Sequence, residues 1–141
     1  MEIDSLFERE KDLSSHVKDV GVALLDISDS VKDKLSQQDQ NDVKDILITL
    51  RMNCDAMLED ISNAEGILKK IKAKSVEVRG ANIDVKATRK QLADVKEALG
   101  RLRKNAEEFL AARDRELVFK EMNTDYGAVL SGITELIAES G

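Results

Sequence analysis

Several residue types that most globular domains use are scarce or missing in this 141-residue chain. It has no proline and no tryptophan, one cysteine, one histidine and only 3% aromatic residues. A single cysteine excludes an internal disulfide, and so few aromatic rings argue against a compact globule with an aromatic-filled centre. The absence of proline removes the residue that most strongly breaks helices, so long helices are possible anywhere in the chain.

Residue patterns of catalysis and of cofactor binding are also scarce. His16 has no serine or cysteine partner in a triad pattern, and the residue three before it is Leu13 rather than the glutamate of a di-iron motif. No glycine-rich phosphate loop, Cys-x-x-Cys pair or calcium loop occurs. Cys54 falls among apolar positions, where a cysteine usually acts as a small buried apolar residue. We therefore expect a chain that is not an enzyme and binds no cofactor or metal.

Long apolar runs are missing as well. A transmembrane helix needs about 20 consecutive, mainly apolar residues, and the longest uninterrupted run here is only a few residues. Residues 1–12 are charged and have no apolar stretch of the kind found in a signal peptide. Together with the single cysteine, these features predict a cytoplasmic chain without a transmembrane segment.

Charge is plentiful but unevenly placed. The net charge of −6 disfavours nucleic acid or anionic lipid as the main partner, because phosphate binding draws on clustered lysines and arginines. Residues 1–42 carry 11 acids and 5 bases, whereas residues 69–90 carry 8 bases and 2 acids. The bases of that second region are Lys69, Lys70, Lys72, Lys74, Arg79, Lys86, Arg89 and Lys90.

This basic region has two interpretations. It is the best candidate in the sequence for an electrostatic partner site, which could meet an acidic protein, nucleic acid or a lipid headgroup. It contains no aromatic residue, so stacking on bases is unsupported. The alternative is neutralisation within the chain by the acidic start of the first helix, and we favour this alternative.

The strongest positive signal is a row of apolar residues at intervals of seven. Ten consecutive members are apolar, which is typical of helices that pack along a narrow stripe. They are Val43, Leu50, Met57, Ala64, Ile71, Val78, Val85, Leu92, Leu99 and Ala106.

The second apolar position of each heptad changes midway along this row. Up to Leu68 it lies four residues after a row member, and from Ala81 it lies three residues after. Either one long helix contains a local irregularity or the chain breaks between residues 72 and 84. We favour a break, since Gly80 suits a helix end and Asn82 suits a helix start.

These patterns predict an all-α fold, an elongated antiparallel three-helix bundle or coiled coil with a short fourth helix. The first helix is expected over about residues 3–35, followed by a polar loop at residues 36–41 in which Asp39 or Asn41 caps the second. The third is expected over about 83–122 and ends at the polar residues 123–127. The bundle would therefore comprise residues 1–122, and the short helical segment residues 123–141.

The segment after residue 125 is the best candidate for a hydrophobic partner site. Its apolar side chains fall on one side of a helix, and so short a helix is marginal in water unless it packs against something. It either folds back onto the bundle or docks into another chain. The residues concerned are Val129, Leu130, Ile133, Leu136 and Ile137.

The function that these features favour is a non-enzymatic protein–protein interaction or structural subunit. It would act through coiled-coil-type helix packing in a larger assembly, as a homo-oligomer or in a hetero-complex. One alternative is a small cytosolic chaperone or adaptor for a secretion or assembly machine. Another is a structural component of a viral particle or filament.

Overall fold

The computed structural model describes the backbone of residues 2–31, 34–78 and 81–140, and the side chains of residues 12–31, 34–77 and 82–136. Within these ranges the chain forms four α-helices and one small β-hairpin. The helices are α1 (Glu2–Ile27), α2 (Gln37–Lys69), α3 (Val85–Glu108) and α4 (Arg115–Ser140), and the strands are β1 (Ser75–Val78) and β2 (Ala81–Asp84). The predicted all-α class is confirmed, and no helix in the described part is both long and apolar enough to cross a membrane.

Each helix buries one stripe of residues spaced alternately by three and four. This spacing returns to the same side of a helix at every turn, so it builds a continuous apolar face. The row of heptads is buried in α2 and α3 wherever its side chains are described, except that Ile71, in the connection, is half-buried. The stripe of α2 is Val43, Leu47, Leu50, Cys54, Met57, Ile61, Ala64 and Leu68, and that of α3 is Val85, Thr88, Leu92, Val95, Leu99, Leu102 and Ala106.

The four helices form a closed ring of neighbours, with α1 against α2, α2 against α3, α3 against α4, and α4 against α1. Contacts between side chains show that α2 and α3 run antiparallel. Lys96 Nζ of α3 donates to Glu65 Oε1 of α2 (3.2 Å), whereas the later Glu107 of α3 accepts from the earlier Arg51 of α2 (2.9 Å). Short connections between consecutive helices impose the same arrangement.

The predicted break between α2 and α3 is confirmed, but it is a β-hairpin rather than a simple turn. The helix α2 ends at Lys69, and β1 pairs antiparallel with β2 from Ser75–Asp84 to Val78–Ala81. Asn82 therefore lies in a strand, and Asp84 is the N-cap of α3, since its carboxylate accepts from the backbone N–H of Ala87 (3.0 Å). Gly80 lies outside the described residues.

The predicted three-helix bundle is not confirmed, because the expected third helix is two helices in the described structure. The helix α3 ends at Glu108, a one-turn 3₁₀ helix follows at Phe109–Ala111, and α4 begins at Arg115. The Asp114 carboxylate accepts from the backbone N–H of Leu117 (3.1 Å), as an N-cap does. The helix α4 is thus 26 residues long rather than a short appendage.

The polar residues 123–127, expected to end a helix, lie inside α4 instead. Hydrogen bonds within the helix and tertiary contacts occupy side chains that would otherwise favour a turn. Asn123 and Thr124 donate to the backbone carbonyls four residues earlier, at 3.1 and 3.0 Å. Asp125 is only 8% exposed and accepts from Arg101 of α3, and Tyr126 packs over Gly21 of α1.

The expected boundaries of the first connection also shift. The helix α1 ends at Ile27, with a 3₁₀ turn at Ser28–Ser30, well before residue 35. The cap of α2 is Ser36, whose hydroxyl accepts from the backbone N–H of Asp39 (3.1 Å), rather than Asp39 or Asn41. Ser36 satisfies a backbone donor one turn earlier, so the polar residues that follow become the first turn of the helix.

Candidate functional site

Charged side chains cross the α2–α3 surface along part of its length. Arg51 pairs with Glu107 (2.9 Å), and Lys96 pairs with Glu65 (3.2 Å). Arg103 contacts both Glu107 (2.8 Å) and Asp55, and its hydrogen bond to Asp55 is the main reason that the pKa of its guanidinium is raised. We call this part of the α2–α3 surface, with these six residues, the paired stretch.

Towards the hairpin, the same two helices form a groove of about 460 Å³ that we call the basic groove. Its wall contains four cations, and its only acid is Glu65, which already pairs with Lys96. Among the described residues, none of the four cations has an ion-pair partner. The lining residues are Glu65, Gly66, Lys69, Lys86, Arg89, Lys90 and Ala93.

The floor of the basic groove is small and open. A Cβ atom placed on Gly66 would meet nothing within 4 Å outside its own helix, and Ala93 faces it as a half-buried residue. The aliphatic stems of the surrounding lysines can line such a floor while their ammonium groups stay in water. The groove therefore offers room for an inserted side chain with positive charge around it.

The structure brings together four of the eight bases that the sequence singled out. Lys69 lies on α2 and Lys86, Arg89 and Lys90 lie on α3, so only the reversal of the chain at the hairpin joins them. Lys70, Lys72 and Lys74 lie exposed beyond the end of α2, and Arg79 is outside the described residues.

The sequence also suggested that acids at the start of α1 neutralise the basic region. The basic groove is lined by α2 and α3 alone, whereas α1 packs against α2 and α4. The acidic side chains of residues 2–10 lie outside the described side chains, and the described Asp12 is exposed. The lining thus contains no residue of α1.

The C-terminal apolar residues are placed mainly inside the bundle. Val129, Ile133 and Leu136 are at most 3% exposed and belong to the common core. A partner could reach these three only if α4 left the bundle. Leu130 is 44% exposed, and the side chain of Ile137 is not described.

A second surface has the opposite charge and was not noticed in the sequence. A groove of about 370 Å³ between α1 and α2 contains Asp19 and Asp26 on one side and Asp45 on the other. Val22, 49% exposed, lies between the two aspartates of α1. The sequence signal was available, since Asp12, Asp19 and Asp26 repeat at intervals of seven.

A groove of about 570 Å³ between α3 and α4 has balanced charge. Three cations and three acids line it, and Arg101 and Asp125 already pair across it (3.1 Å). Balanced charges offer no net attraction to a charged partner, so the volume of this groove does not make it the better candidate. Its lining residues are Arg101, Lys104, Asn105, Glu108, Leu117, Lys120, Glu121, Thr124 and Asp125.

Cys54 and His16, the single cysteine and the single histidine, both occupy structural positions. Cys54 is fully buried in the core, and this burial raises the pKa of its thiol to about 12. His16 hydrogen-bonds Asn53. Among the described residues, no three histidine, cysteine, aspartate or glutamate side chains are placed together to hold a metal ion.

Neither a protein-family model, nor a curated protein, nor a solved structure matches this chain.

Proposed function

We propose that this chain is a non-enzymatic protein–protein interaction or structural subunit that joins a larger assembly through coiled-coil-type helix packing. The observation that carries the proposal is the basic groove, whose four cations have no ion-pair partner among the described residues. Four like charges in one groove repel one another, and an acidic surface placed there would relieve the repulsion. The groove is therefore the site at which we place a partner.

A compact acidic protein surface suits this groove, because it can meet the four cations alone, whereas a long polyanion also meets the acidic remainder of the chain. A net charge of −6 repels the extended polyanion of a nucleic acid and an anionic membrane, although a few cations attract locally. The lining contains no aromatic residue on which a base could stack. The narrow floor at Gly66 and Ala93 suits a side chain from a partner helix, as in the packing of one helix against another.

Exposed apolar residues on α1 and α2 give additional support. Leu25 and Met52 are 73% and 66% exposed, and Val22 and Ile48 are 49% and 42% exposed. Single apolar residues are common on protein surfaces, but here four of the six large exposed ones in the described part lie on two neighbouring helices. These residues are further positions that a partner docking along either helix could bury.

Photo-crosslinking from the groove tests the proposal. A diazirine amino acid, whose short aliphatic side chain leaves most of the groove open, would replace Gly66 in the full chain, and a matched variant would carry it at Gly100, which is also an exposed helical glycine with nothing within 4 Å of its Cβ position. Irradiation in the native host should give protein adducts from position 66 and few from position 100. Adding Lys86→Glu and Lys90→Glu should remove the adducts. Equal adducts from both positions, or none from position 66, would contradict the proposal.

A further inference from the structure

The face of the bundle around Val22 is chemically complementary to the basic groove. On α1 and α2 it presents an exposed apolar side chain between aspartates, and we call Asp12, Asp19, Val22, Asp26 and Asp45 the acidic face. Among the described residues, none of these four aspartates has an ion-pair partner. The basic groove presents the converse, a small open floor beside four cations.

We propose that the partner of the basic groove is the acidic face of a second copy of this chain. This inference rests on the proposed function and names the partner at the same groove. Aspartates at intervals of seven lie on one side of α1, so Asp19 and Asp26 present two charges about 10 Å apart along one ridge. One side of α3 likewise carries three cations, Lys86, Arg89 and Lys90. The row of aspartates on α1 of another copy can therefore meet several cations at once.

The two surfaces are on different sides of α2. One side of α2 contributes Asp45 to the acidic face, and another contributes Gly66 and Lys69 to the basic groove. A contact between two different surfaces leaves one of each unused at the two ends of a pair. Further copies therefore add in the same direction, and the assembly grows as a chain unless the rotation between copies closes it into a ring.

Solution mass measured against concentration and salt tests this inference with the full chain. At an ionic strength of about 0.01 M, where exposed charges act over about 30 Å, the average mass should rise above that of the 15.7 kDa monomer as concentration increases. It should fall back at 0.15 M or above, where the range shrinks to about 8 Å. A chain that stays monomeric at every ionic strength from about 0.01 M to about 0.15 M overturns the inference.

Charge reversal identifies the surfaces. Reversing the groove with Lys86→Glu and Lys90→Glu, or the acidic face with Asp19→Lys and Asp26→Lys, should weaken self-association at least about tenfold in either variant alone. Mixing the two variants should restore it, because each then meets the opposite charge. Lys104→Glu with Lys120→Glu makes the same change in net charge as the groove variant but lies on the α3–α4 groove, and it should leave self-association unchanged.

A steric pair of variants tests the groove without changing charge. Gly66→Phe places a ring over the open floor and should abolish self-association, whereas Gly100→Phe adds the same ring elsewhere and should not. Circular dichroism of each variant confirms that the helices remain. Self-association that survives both the reversed groove and Gly66→Phe overturns the inference.

The failures of the two proposals are distinguishable. Adducts from position 66 to other proteins, with a monomeric chain, would refute self-docking and leave the interaction function in place. Adducts that join two copies, with the crosslink mapped to residues 12–26, support self-docking. If the chain is monomeric, gives no protein adduct and instead binds duplex RNA or anionic lipid vesicles through the same lysines, both proposals are overturned.

Discussion

The paired stretch and the basic groove lie on the same two helices and cover the same apolar interior, yet their surfaces differ. In the paired stretch, Arg51, Lys96 and Arg103 contact acids across the helices. In the basic groove, the cations of both helices have no such partner among the described residues. Since the buried stripe continues beneath both, core packing does not require the charge pattern of the groove. The difference separates charges used inside the chain from charges available to another molecule.

The largest expected effect is a difference in reactivity between a thiol introduced in the basic groove and the thiol of Cys54 in the core. Gly66→Cys places a thiol beside cations, which favour the reactive thiolate, whereas burial raises the pKa of Cys54 to about 12. From the pKa difference alone, Cys54 in the folded chain should carry about a thousandfold less thiolate than an ordinary thiol. Timed labelling with iodoacetamide should show one fast thiol in the variant and one slow thiol, and fast labelling of both would contradict the buried position.

The same pKa shift predicts how stability depends on pH. The thiol ionises near its ordinary value of 9.0 in the unfolded chain but only near 12 in the folded one. The contribution of the neutral thiol to the free energy of unfolding is therefore fully present below pH 9 and is lost as the pH rises towards 12. Urea titrations across this pH range should show that the free energy of unfolding decreases less in Cys54→Ala than in the unmodified chain.

Truncation of the core tests whether the interior is equally packed beneath the two regions. Leu92 is buried in the part of α3 that lines the groove, and Leu99 is buried in the part that lies in the paired stretch. Leu92→Ala and Leu99→Ala should each lower the free energy of unfolding by about 2–5 kcal/mol, from lost burial and the cavity left behind. Denaturant titration measures both. A much smaller cost for Leu92→Ala would mean that the groove end is loosely packed.

Glycine substitutions distinguish open surface from close contact. Gly132 of α4 lies against the side chain of Val95 of α3, and a Cβ there would overlap the branched Val95. Because that side chain is stiff and buried, Gly132→Ala should lower the free energy of unfolding by about 1–3 kcal/mol. Thermal or denaturant unfolding gives the value, and an increase in stability would show that α3 and α4 are farther apart.

Two of the open glycines should respond in the opposite direction. Gly66 in the groove and Gly100 on α3 have free space, so Gly66→Ala and Gly100→Ala should each raise the free energy of unfolding by up to about 1 kcal/mol. Agreement between the two variants would confirm that the groove floor is empty in the isolated chain. A loss of stability at Gly66 alone would mean that the floor is occupied.

The smallest effects are expected from single changes of charge. Arg103→Gln removes contacts to Asp55 and Glu107 and should lower stability slightly at low salt, with less effect at high salt. Lys86→Gln should not lower it, because this lysine has no described ion-pair partner and lies among other cations. Parallel unfolding titrations at two salt concentrations make the comparison. A greater loss from Lys86→Gln would indicate that the groove cations stabilise the fold.

Much of the helical core could be read from residue spacing. The heptad row and its second positions identified buried side chains of α2 and α3, including Cys54 and Leu102, because a helix returns to the same side every seven residues. The change from four to three residues was also informative, since it marks separate helices on either side of the break. The alternation of Val76 and Val78, and of Ala81 and Ile83, was a strand signal beside Gly80 that the helical pattern obscured.

The error in α4 has a different cause. Local preferences favoured a turn at residues 123–127, and the local signs of the true start are the cap at Asp114 and Glu116 in the first turn. The helix continues because Asp125 meets Arg101 and Tyr126 covers Gly21, and both contacts come from residues distant in the chain. Placement of the basic groove was equally inaccessible, since Lys69 and Lys90 are 21 residues apart and meet only after the hairpin reverses the chain.

The sequence by itself determined the helical class and most of the apolar stripe, because backbone hydrogen bonding and the period of the helix act over a few residues. Tertiary structure decided the number of helices, the burial of Val129, Ile133 and Leu136, and the grouping of four cations around Gly66. Those outcomes depend on which surfaces meet when the helices close into a bundle. Spacing along one helix carries no information about the charge that a neighbouring helix supplies.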